Sequence, residues 1–87
     1  MTTDEIRAAV TQRVAGTKRR QWRVGITQNL DDRRAHWRNP ATFTHWLADS
    51  LDVAREVEWL LLDKGMQGNE GGVMAEAATT YVYIFQA

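Results

Sequence analysis

The sequence has no cysteine and only one proline in 87 residues. With no thiol, disulfide staples and thiolate chemistry are excluded. There is no HxH, HExxH or Cys/His pattern, so no zinc site is expected. No serine sits in a recognisable nucleophile elbow. No apolar run approaches the roughly 20 residues of a membrane span. The opening MTTDEIRAAV carries acidic residues where a secretory signal needs basic ones. A soluble cytoplasmic protein without membrane contact is the expectation. Net charge is also missing, with 11 Lys/Arg against 11 Asp/Glu. No internal repeat is visible.

What is present argues for one small folded domain spanning 1–87. Hydrophobic residues make up 44% of the chain and four are tryptophans, which favours a core over disorder. A chain of this length buries roughly 60–65% of the surface its unfolded form exposes, so stability should be modest. The zero charge hides an asymmetry. Residues 1–40 hold nine Lys/Arg and four Asp/Glu, and residues 41–87 hold two and seven. A basic face on a neutral protein can attract phosphate. The two halves could equally pair with each other across the fold.

The densest stretch is Trp22 to Trp37, WRVGITQNLDDRRAHW. Trp22, Val24 and Ile26 alternate with Arg23, Gly25 and Thr27, the period of a half-buried strand. Asn29 can cap a helix over about 30–37, with Asp31 and Asp32 in its positive first turn. Arg33, Arg34 and Arg38 lie at its far end, where Asn39-Pro40 stops it. Before this unit, Thr3 reads as the cap of a helix over 3–16, with Ile6, Val10 and Val14 as its apolar stripe and Gly16 as its end. Lys18-Arg19-Arg20 reads as a solvated loop.

After Pro40, FTHWLA at 43–48 is a weaker strand candidate. Ser50 then caps the longest helix, ending at Gly65. Val53, Val57, Leu60 and Leu61 form its main stripe, widened by Leu51, Ala54 and Leu62, with Glu58 on the widened side. GMQGNEGG, residues 65–72, is glycine-rich, but no GK[ST] follows, so a connector is expected and not a P-loop. TTYVYIF near the end is a dense β-branched and aromatic run, expected as a central strand paired with the strand at 21–27. The sum is an α+β domain: a small antiparallel sheet of about three strands packed against about three helices.

The run Arg23-Val24-Gly25-Ile26-Thr27-Gln28-Asn29-Leu30, with Arg33 ten residues after Arg23, resembles the second half of the GIY-YIG nuclease signature. In that family a tyrosine opens the run and a catalytic arginine follows at this distance. An alanine and a glutamate four residues later on a long helix match Ala54 and Glu58. The resemblance spans roughly residues 22–64. The chain departs from the family twice: Arg23 stands where the tyrosine would be, and no GIY precedes residue 22. Tyr81-Val82-Tyr83-Ile84-Phe85 looks like a GIY-type strand moved to the C-terminus, which implies a circular permutation placing 81–85 antiparallel to 22–26.

The resemblance implies a metal-dependent phosphodiesterase or endonuclease acting on nucleic acid. Glu58 would bind Mg²⁺ or Mn²⁺. Arg33 would stabilise phosphoryl charge, and Tyr83 or His36 would orient or activate water. Arg33, Glu58 and the final strand would then share one hollow. The alternative is an inactive nucleic-acid-binding module, with Arg20, Arg23, Arg33, Arg34 and Arg38 holding backbone and Trp22 or Trp37 stacking on bases. A protein-interaction module is the third possibility, marked by an exposed Trp37–Trp46 patch. Each residue also has a purely structural role open to it: Arg33 paired with Asp31, Asp32 or Glu58; Glu58 partnered by Arg55; Tyr83 as core; His36 and His45 as surface histidines.

Overall fold

The computed structural model describes residues 1–68 and 79–86. It contains α1 (Thr3–Val14), a 3₁₀ turn (Arg19–Gln21), β1 (Trp22–Thr27), α2 (Leu30–His36), β2 (Thr44–Leu47), α3 (Leu51–Asp63) and β3 (Tyr81–Gln86). The class is α+β, as the hydrophobic periodicities indicate. Residues 69–72 of the glycine-rich connector lie outside the described residues.

The sheet has the order β1-β3-β2, with both pairs antiparallel. The aromatic strand is therefore central, and residues 81–85 run against 23–27, with Gly25 opposite Tyr83 and Val24 opposite Ile84. Directly opposed residues of an antiparallel pair point to the same face. One face thus carries Trp22, Val24, Ile26, Val82, Ile84, Thr44 and Trp46; the other carries Arg23, Thr27, Tyr81, Tyr83, Phe85 and His45.

Helices α1 and α3 cover the first face. Ile6, Val10 and Val14 of α1 meet Leu51, Ala54, Val57 and Leu61 of α3 over Trp22, Val24, Ile26, Val82 and Ile84, all buried. Each fully buried aliphatic side chain contributes roughly 1.5–3 kcal/mol. The stripe of α3 is one step rotated from the sequence expectation: Val53 and Leu60 are half-buried and Leu62 is exposed. The cause is that α3 packs on α1 as well as on β1 and β3, so the Leu51–Ala54 side is covered.

The caps follow the sequence with one correction. Thr2, not Thr3, caps α1: its hydroxyl accepts from the Glu5 N–H while the Glu5 carboxylate accepts from the Thr2 N–H at 2.9 Å. The reciprocal box needs a Glu three residues on, which Thr2 has and Thr3 lacks. Asn29 accepts from the Asp32 N–H at 3.1 Å and Ser50 from the Val53 N–H at 3.1 Å. Gly65, at φ 106°, turns the chain out of α3. The chain then runs beside β1. The Val24 N–H donates to the Gln67 carbonyl and the Gln67 N–H to the Trp22 carbonyl, both at 2.9 Å. That contact closes part of the outer edge of β1, where unpaired groups would invite another strand.

Candidate nucleic-acid interface

The turn between β1 and α2 is built by side chains. Thr27 is buried; its hydroxyl donates to the Asn29 carbonyl and accepts the Asn29 N–H, each at 3.0 Å. The Asn29 side chain then caps α2. These bonds explain why Thr-x-Asn between a strand and a helix gives a tight turn. They also fix the direction in which α2 carries its arginines.

The end of α2 is seated on the second sheet face by aromatic rings. Trp37 lies against Phe85 with centroids 5.2 Å apart, and its indole N–H donates to the Tyr83 hydroxyl at 3.2 Å. Phe43 stacks on Tyr83 at 5.1 Å, and Tyr83 lies nearly parallel to Phe85 at 6.3 Å. Tyr83 is fully buried under these rings. Its hydroxyl is thus engaged inside a packed aromatic layer, away from any phosphate at the surface.

Cations border this layer. The Arg23 guanidinium lies 5.0 Å from the Trp37 ring and donates to the Gly68 carbonyl at 2.7 Å and the Gln67 amide oxygen at 3.2 Å. At the position where a tyrosine would open the signature, arginine therefore ties β1 to the chain leaving α3. The Arg34 guanidinium lies 5.6 Å from the Phe43 ring. Arg33 is half-buried, and Arg34 and Arg38 are exposed. Among the described residues no carboxylate lies within 4 Å of Arg20, Arg23, Arg33, Arg34 or Arg38; the ion pairs are Met1 with Asp49 and Arg7 with Asp4. The expected pairing of Arg33 with Asp31, Asp32 or Glu58 is not made. His36 is exposed and meets Trp37 edge-on at 4.9 Å. Arg20 sits in the 3₁₀ turn before β1, its carbonyl accepting from the Gln67 side chain at 2.8 Å.

Glu58 belongs to the other layer. It is half-buried on α3, the helix that covers the Val24/Ile84 face. Burial raises its pKa, and Arg55, one turn back, opposes that shift. The expected hollow shared by Arg33, Glu58 and the last strand is thus not formed, because α3 and the end of α2 lie against opposite faces of the sheet. Nor do the described residues gather three or more His, Asp or Glu in one place. Glu58 therefore stands as a single half-buried carboxylate with Arg55 as its charged neighbour.

The Trp37–Trp46 patch is likewise absent. Trp37 packs on the Phe85 face, whereas Trp46, opposite Val82, packs against the aliphatic core. The exposed tryptophan is Trp59, at 65%. Phe43 and Gln67, which support Arg34 and Arg23, carried no sequence signal: one sat in an irregular strand candidate, the other in a glycine-rich connector. Comparison with protein-family models, curated proteins and solved structures finds no match. Among the described residues no helix is long and apolar enough to cross a membrane.

Proposed function

We propose that this domain is a GIY-YIG-like, circularly permuted module that binds nucleic-acid backbone through Arg33, Arg34 and Arg38. The observation that carries this is a group of three arginines at the end of α2 with no carboxylate partner among the described residues. Unpaired guanidiniums on one short element suit phosphate oxygens, and the affinity they supply falls with salt as counterions are released.

The backbone supports the same conclusion. Arg38 and Asn39 both have left-handed geometry, φ 63° and 51°. That conformation costs a non-glycine residue about 1–2 kcal/mol. An exposed arginine kept where glycine would relieve strain suggests that its charge is used. Cleavage is the weaker alternative. Tyr83 is buried and Glu58 lies on the other layer, which leaves Arg33 with exposed His36 alone among the partners that hydrolysis would use.

Fluorescence anisotropy with labelled single-stranded and duplex oligonucleotides, from about 50 to about 200 mM salt, tests the proposal. Binding should weaken steeply with salt. Arg33→Ala, Arg34→Ala and Arg38→Ala should each lower the salt slope by about one, and Glu58→Ala should leave binding unchanged. A salt-independent or absent interaction overturns the proposal. Plasmid cleavage in Mg²⁺ or Mn²⁺ that disappears in Glu58→Ala would reinstate the enzyme.

A further inference from the structure

A cleft of about 190 Å³ lies on the helical layer, lined by Arg7 and Thr11 of α1, Arg19 of the 3₁₀ turn, and Leu60, Leu61 and Lys64 of α3. Three separate chain segments each bring a cation to it. Arg7 and Thr11 share a face of α1 because they are four residues apart; Leu60 and Leu61, four and three residues before Lys64, flank the same side at the end of α3. Like charges brought to one hollow repel. Among the described residues, Arg19 and Lys64 have no acid within 4 Å, and Arg7 has only exposed Asp4 at 3.9 Å. The Thr11 hydroxyl donates to the Arg7 carbonyl at 2.9 Å, so among the lining residues the side-chain donors left for a ligand belong to Arg7, Arg19 and Lys64. Leu60 and Leu61 supply an apolar wall.

We infer that this cleft is an anion site for a terminal phosphate, a phosphomonoester, distinct from the backbone-binding arginines of α2. Its volume is below the roughly 300–1,000 Å³ of pockets that enclose a whole small ligand, so it takes the phosphate and the first carbons attached to it. Three cations suit a dianionic monoester better than the single charge of a backbone diester. Two guanidiniums can each offer paired N–H donors to its oxygens, and Lys64 adds a point charge.

The test is an NMR titration of the full chain with inorganic phosphate and ribose 5-phosphate, against sodium chloride at equal ionic strength. Resonances of Arg7, Arg19 and Lys64 should move with the phosphates and not with chloride. Arg19→Gln and Lys64→Gln, both outside the core, should each weaken binding about three- to tenfold. Arg33→Ala should leave it intact, which separates this site from the α2 surface. Competition by a 5′-phosphorylated oligonucleotide, but not by its 5′-hydroxyl form, would assign the site to strand ends. Binding of ribose 5-phosphate without such competition would assign it to a free phosphoester. Equal response to chloride, or unchanged binding in the doubly substituted chain, overturns the inference.

Discussion

One face of the sheet is covered by two helices of 12 and 13 residues, the other by a helix of seven and the loop after it. The first cover is aliphatic and closes around residues at or near zero exposure. Among the described residues the second is aromatic: Trp37 and Phe43, half-buried, lie over buried Tyr83 and Phe85, and Arg23 and Arg34 lie against the Trp37 and Phe43 rings. A seven-residue helix has little stability of its own. α2 is held by its cap and by the rings beneath its end. Both faces thus bury side chains, but the Arg23 and Arg34 guanidiniums lie on one of them, so substitutions should separate stability from charge presentation.

The largest expected effect tests that separation. Ile84→Ala removes a fully buried side chain beneath α1 and α3 and should cost about 2–5 kcal/mol. Urea titration would show it as a fall in midpoint at unchanged slope. Trp37→Ala removes a half-buried ring and the hydrogen bond to Tyr83. It should cost less, about 1–3 kcal/mol, yet release the end of α2 and weaken oligonucleotide binding more than Ile84→Ala does at a temperature where both variants are folded. A Trp37→Ala chain as unstable as Ile84→Ala would merge the faces into one cooperative core.

The same division marks what the residues disclose without coordinates. The aliphatic face was legible, because Ile6-Val10-Val14 and the Trp22-Val24-Ile26 alternation each report one element's buried side. So were the Asn29 and Ser50 caps and the central place of the last strand. The antiparallel pairing of the last strand with the first was expected too and is present, with 81–85 against 23–27. The second face was not legible. Its order depends on Phe43 meeting Tyr83 across 40 residues of chain and on Arg23 reaching Gly68, and no local period encodes such contacts. Helical spacing also put Glu58 near a site on paper, since spacing tells which residues share a side of α3 but not which face of the sheet α3 covers.

A smaller effect is expected at Arg38. Arg38→Gly relieves left-handed strain of about 1–2 kcal/mol but adds backbone freedom worth roughly 0.5–1 kcal/mol in the unfolded chain. Thermal denaturation should show unchanged or slightly raised stability, by up to about 1.5 kcal/mol. Anisotropy should show weaker, less salt-dependent binding. Gain on one measurement with loss on the other would mark Arg38 as a residue kept for its charge. Unchanged binding would place phosphate contact on Arg33 and Arg34 alone.

The smallest effect concerns Glu58. Burial holds its carboxyl above the usual 4.5, so the folded chain keeps this proton to a higher pH than the unfolded chain does. Stability from this group is therefore highest in acid and falls as pH rises from about 4.5 through the raised folded value, after which it is flat. Glu5 acts in the opposite sense: the Thr2 N–H, then the Thr2 hydroxyl, lower its pKa, so its contribution is lost as pH falls below 4.5. Comparing Glu58→Gln with the parent chain cancels Glu5 and isolates the α3 carboxylate. The substituted chain should match its parent near pH 4 and exceed it near pH 7 by under about 1 kcal/mol, since the site is only half-buried and solvent screens it. Destabilisation at neutral pH would instead mean that the ionised carboxylate has a favourable partner, and would return Glu58 to consideration as a ligand.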